Sequence, residues 1–148
     1  MKKISLIATG LIAATLLFTA CKKDQQTVLP TQKYLELING TWYTAASGAD
    51  INTNGIPDPE ELTPIDSAVQ KIYTVFLGNG KAKAYGTFMG MELDTTEGTW
   101  LITPDRFLET NSPSAGHRRY YIYELNDSLM ILKSTDTYPN RWFSYDRQ

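Results

Sequence analysis

One cysteine and one histidine are all that 148 residues supply of the side chains most used for thiol chemistry, proton transfer and transition-metal binding. If Cys21 is consumed by a modification, no thiol is left. Disulfides, thiol catalysis and cysteine metal sites are then excluded together. The single histidine, His117, stands beside Arg118 and Arg119, with no second imidazole to complete a His-x-x-x-His pair. A Gly-x-Ser-x-Gly elbow and a phosphate loop are also missing. Glu92, Asp94 and Glu97 gather near an expected hairpin. Paired carboxylates do acid–base work in some enzymes, but a solvated turn explains these three as well, and the chain reads as a non-enzyme. Positive charge is scarce too. The net charge is −2, and His117-Arg118-Arg119 is the one basic cluster, so the clustered Lys and Arg that nucleic acid requires are lacking.

Long apolar runs are limited to one. Residues 4–20 carry no charge and follow Lys2 and Lys3. The run falls short of the roughly 20 apolar residues of a membrane span and is diluted by Ser5, Thr9, Gly10 and Thr15. At the extreme N-terminus this pattern is that of a signal peptide. Phe18-Thr19-Ala20-Cys21 resembles the lipobox of bacterial lipoproteins, which implies cleavage before Cys21 and lipidation of its thiol, palmitate included. The alternative is an ordinary secretory signal with a cysteine beside it by chance. Loss of Lys2 and Lys3 takes the net charge from −2 to −4. Two or more acyl chains would anchor the protein stably, at about 0.8 kcal/mol per buried methylene. The expected location is the outer membrane, facing the periplasm or the cell surface, because aspartate does not follow Cys21 directly.

Three segments follow from this reading: a signal peptide at 1–20, a polar tether at 21–30 and one domain at 31–148, long enough for a single core. Residues 31–38 read as a short helix stopped by Asn39-Gly40. Eight β-prone runs come next, at 41–47, 71–77, 81–89, 98–103, 106–110, 117–125, 128–134 and 141–145, divided by turn residues. Asn79-Gly80 and Asn126-Asp127 are expected to make two-residue type I′ hairpins. The fold class is therefore all-β, an eight-stranded up-and-down antiparallel meander able to close into a barrel. Aromatic residues fall at adjacent positions, as in Tyr120-Tyr121 and Trp142-Phe143, so both sheet faces should carry them.

On these residues the chain resembles the bacterial lipocalin-like lipoproteins, over about residues 35–146. Gly40-Thr41-Trp42 matches their G-x-W motif. Phe76-x-x-Asn79-Gly80, Gly98-Thr99-Trp100 and Leu125-x-x-x-Leu129-x-x-Leu132 match later ones. The resemblance implies that Trp42 plugs one barrel end under a basic residue from the last strand. Arg141 is the candidate, through a cation–π contact. It also implies a small hydrophobic ligand in the barrel.

The sharpest chemical motif is Asp50-Ile51-Asn52-Thr53-Asn54-Gly55-Ile56-Pro57-Asp58-Pro59-Glu60-Glu61, which satisfies D-x-[DN]-x-[DN]-G-x5-E. Asp50, Asn52, Asn54, the Ile56 carbonyl, Asp58 and Glu61 are the candidate Ca2+ ligands, because calcium takes six to eight oxygens. Pro57 and Pro59 oppose a helix–loop–helix context. Without metal the same residues read as a turn at Asn54-Gly55 and a capping box from Asp58 to Glu61. Two functions stay open. One is a lipid-anchored envelope protein holding a small apolar ligand. The other is a filled-core structural domain, stabilised by calcium and docking to an envelope protein.

Overall fold

Residues 129–134 read Leu-Met-Ile-Leu-Lys-Ser, and Met130, Leu132 and Ser134 are buried while Leu129, Ile131 and Lys133 are half-buried. This period of two is that of a strand with one face against a core. The same alternation recurs along the chain of the computed structural model, which describes residues 30–137 and 139–148. The expected signal segment, Cys21 and nearly all of the tether lie outside the described residues.

One helix, α1 (Pro30–Ile38), leads into nine strands: β1 (Gly40–Ala49), β2 (Thr63–Pro64), β3 (Gln70–Phe76), β4 (Lys81–Phe88), β5 (Met91–Ile102), β6 (Phe107–Ser112), β7 (Gly116–Leu125), β8 (Leu129–Ser134) and β9 (Arg141–Arg147). Successive strands from β3 to β9 pair antiparallel, β1 pairs with β3, and β9 returns to β1. Eight strands thus close a barrel, and the two-residue β2 adds to the outer part of β1. The eight expected runs are all present. β5 is longer than expected, because its first half, residues 91–97, is almost wholly exposed and its only apolar residues are the exposed Met91 and Leu93.

Helix and barrel share a core at one end. Ile38, Trp42, Phe76, Trp100, Ile102, Leu108, Ile122, Leu125, Met130 and Leu132 form one buried cluster. Trp100 edges onto Phe76 at 5.6 Å, and its indole donates to the Leu77 and Lys81 carbonyls at 3.1 and 2.9 Å. The Phe76, Asn79-Gly80 and Trp100 motifs, distant in sequence, therefore meet around one turn.

The turn types differ from expectation. Type I′ needs positive φ at two successive residues, and neither Asn79 nor Asn126 has it. Both instead cap longer turns with their side chains. Asn79 Oδ1 accepts from the Lys81 amide, and Asn126 Oδ1 from the Ser128 and Leu129 amides. The paired positive φ falls at Met89 (50°) and Gly90 (79°), which close the β4–β5 hairpin.

Candidate functional site

At the closed end Trp42 is fully buried, and its indole Nε1 donates to the Ile38 carbonyl at 2.7 Å. The cation across its ring is Arg147, 5.4 Å from the centroid, whose guanidinium also donates to the Leu37 and Asn39 carbonyls at 3.3 and 2.6 Å. Arg141, the residue expected there, stands at the other end of β9. It pairs with Ala49 and lies 5.8 Å from the ring centre of its neighbour Phe143. The register of β9 decides this: Trp42 faces Arg147 directly across the β1–β9 ladder. Gly40 has φ +133°, and a Cβ there would press on the Arg147 guanidinium at 3.1 Å. The glycine of G-x-W therefore clears the path for this arginine.

Above the packed end, inward side chains become small. Ala82 and Ala84 from β4, Thr96 and Gly98 from β5, and Thr110 and Ser112 from β6 face Tyr120, Leu132 and Tyr145 across a cavity of about 270 Å³. Its floor is apolar, with Phe76, Leu108 and Leu132, and its upper wall is lined with hydroxyls. Burial pushes the Tyr145 phenol well above its usual range, and the neighbouring Tyr120 adds to this while Thr44 hydrogen-bonds against it. Burial likewise raises Tyr120. Both phenols stay neutral at physiological pH and serve as hydrogen-bonding groups. Glu97 and Lys83 pair at 2.8 Å beside the cavity, and the Lys83 ammonium holds the Glu97 carboxyl below its ordinary value. A second set of aromatics forms the Tyr43–Tyr73–Tyr85 row, with ring separations of 5.8 and 5.3 Å.

The 50–61 loop folds back on the outer wall near β8 and β9. Asp50 is 1% exposed and receives the Lys133 ammonium from β8 at 2.7 Å. That bond chiefly holds its carboxyl below the ordinary 3.8, with the nearby Gly55 and Thr53 amides adding weakly. Glu61 is 8% exposed, and its Oε1 accepts from the Ile51 and Asn52 amides at 2.8 and 3.2 Å. The capping box to Asp58 is not formed. Residues 59–61 make one turn, and Glu61 reaches the start of the loop instead. Asn52 and Asn54 donate to Asp58 Oδ2 at 2.7 and 2.9 Å, and their Oδ1 atoms accept from the Asn54 and Ile56 amides. Gly55 supplies the turn at φ +74°. The loop thus brings the motif residues together, with Ile56 exposed at its outer edge. Among the described residues no three His, Cys, Asp or Glu side chains converge on one point. Lys133 was absent from the sequence reading. Its place above Asp50 depends on packing between positions 83 residues apart.

His117 is exposed on β7, 3.4 Å from Glu109. Among the described residues no helix is long and apolar enough to cross a membrane.

No protein-family model matches the sequence, and no curated protein is found similar to it. Solved structures do match. A lipocalin-like protein from Bacteroides uniformis superposes with a TM-score of 0.55 at 13% identity, over 75% of this chain and 98% of that one. An uncharacterized protein from Bacteroides eggerthii gives 0.54 at 14% identity, over 75% and 99%. The closed antiparallel barrel, the short helix across its packed end and these two likenesses together make the described domain lipocalin-like in fold.

Proposed function

We propose that this chain is a lipid-anchored protein of the cell envelope that holds one small molecule in its barrel. The observation that carries the reading is the row of small inward residues, Ala82, Ala84 and Thr96, above a fully packed floor. Inward positions filled by large aromatics would have left no room. The cavity of about 270 Å³ is just under the roughly 300–1,000 Å³ usual for ligand sites, so the ligand is small. Its expected form is an apolar body resting on Phe76, Leu108 and Leu132, with a polar group among the Thr and Ser hydroxyls and the Tyr120 and Tyr145 phenols. Anchoring rests on the lipobox-like residues ending at Cys21.

Native mass spectrometry of gently purified protein tests the ligand. A small co-purifying mass, lost on denaturation and absent from Ala84→Phe with the barrel intact by circular dichroism, is the expected result. Bare wild-type protein from several gentle preparations would sink the carrier reading. A second reading, docking to another envelope protein, draws on the β4–β5 hairpin tip, where Met89 and Met91 are 68% and 65% exposed beside exposed Phe88. That reading expects a co-purifying polypeptide lost when Met89 and Met91 become serine.

A further inference from the structure

The 50–61 loop is not used by the barrel cavity, yet it holds two carboxylates that are more than nine-tenths buried. Asp50 and Glu61 each keep one buried oxygen, Oδ1 and Oε2, without a hydrogen-bond partner of good geometry, the Gly55 and Thr53 amides acting on the Asp50 carboxyl only weakly. A buried acceptor left in this way is unfavourable, and more so when charged. Both oxygens belong to the same end of the loop, because Glu61 Oε1 is bonded to the amide of Ile51, the residue after Asp50. Asp50, Asp58 and Glu61 supply three negative charges and Lys133 one positive, so the cluster is left two charges negative. That remainder is the complement of one divalent cation.

The donor set is oxygen only: carboxylates, the Asn52 and Asn54 amides, and backbone carbonyls such as that of Ile56. Oxygen sets select hard cations, and an irregular twelve-position loop suits calcium better than magnesium, which demands near-ideal octahedral geometry. Two contacts stand in the way. The Lys133 ammonium sits on Asp50 Oδ2, and the two asparagine amides point their NH2 groups at Asp58. We propose that residues 50–61 take up one calcium ion between Asp50 Oδ1 and Glu61 Oε2, and that the Lys133 ammonium is its built-in competitor. Uptake turns the Asn52 and Asn54 oxygens inward and frees Asp58 to join. The ammonium has a place to withdraw to, since it already lies 5.0 Å from the centre of the Trp142 ring. The loop therefore exchanges between a lysine-bound and a calcium-bound arrangement, and the lysine keeps the affinity in the weak range of extracellular sites, about 10⁻⁴ to 10⁻³ M.

Terbium(III), which replaces calcium at oxygen sites, tests this on the purified protein, with Trp142 as the nearby sensitiser. Tryptophan-excited terbium emission that millimolar calcium quenches is expected for the wild type. Glu61→Gln and Asp58→Asn should each weaken calcium roughly tenfold, and Lys133→Met should tighten it roughly tenfold, as charge count tunes such loops. Asp58→Asn removes a half-buried charge and leaves the two buried carboxylates in place, so it remains informative if Glu61→Gln fails to fold. Absence of sensitised emission from the wild type overturns the proposal. Emission from Lys133→Met alone also overturns it, and makes the lysine a permanent replacement for the metal. Emission insensitive to both acidic substitutions places the ion elsewhere and overturns it too.

Discussion

Arg147 joins three parts of the closed end at once: the ring of Trp42, the last turn of α1 through the Leu37 carbonyl, and the link between α1 and β1 through the Asn39 carbonyl. The short hydrogen bond from this charged donor to the Asn39 carbonyl contributes about 1.5–3 kcal/mol, a partly desolvated cation over tryptophan adds roughly another 1, and the long 3.3 Å bond to Leu37 adds little. Arg147→Met is therefore expected to lower the free energy of unfolding by about 2–4 kcal/mol in urea titrations. Arg141→Met, at an exposed position with no such carbonyls, should change it by less than about 0.5 kcal/mol. An equal loss from the two would refute the assignment of the cation to Arg147. Trp42 was legible in the sequence because G-x-W is local. Its partner was not, because β9 carries a basic residue at each end and only the β1–β9 register chooses between them. The expected run stopped at residue 145 and so left Arg147 out.

At the scale of elements, the strands were legible wherever one face meets the core. β8 and the second half of β5 are runs of β-prone apolar residues that alternate in burial, and both were expected. Residues 91–97 were not, since the apolar row of Met91 and Leu93 is short and exposed and breaks off at Asp94-Thr95-Thr96-Glu97, and pairing to β4 alone holds them extended. The 50–61 loop was legible as a motif but not in its contacts. Its attachment to the outer wall depends on Gly48, where a Cβ would collide with the Glu61 carbonyl oxygen. Gly48→Ala forces the loop outward. The expected result is a loss of about 1–3 kcal/mol, the range for overpacking, together with faster proteolysis within residues 50–61 while the barrel's circular dichroism is retained. Unchanged proteolysis would show that the loop is held by other contacts.

Across the whole molecule, the packed end lies under α1 and the cavity lies above it. The chain thus enters the domain on the side of Trp42, away from the hairpin tip at Met89-Gly90. The anchor proposed at Cys21 would tether the domain from this end. Wild-type protein is accordingly expected to incorporate labelled palmitate and to sediment with membranes. Cys21→Ser should do neither, while its domain keeps the same thermal transition. Label retained in Cys21→Ser would refute lipidation at that thiol. Closure of the barrel has a further consequence, for the order in which the molecule is made. The first strand has two sequence-distant neighbours, and one of them is the last strand of the chain: Trp42 faces Arg147. Contacts of such long separation carry a large loop-closure entropy and slow folding. Until β9 docks, β1 and β8 each present a bare strand edge, the surface on which chains pair wrongly with one another. The seven residues of β9, Arg141–Arg147, thus decide whether a nearly finished meander becomes a self-contained barrel or a seed for aggregation.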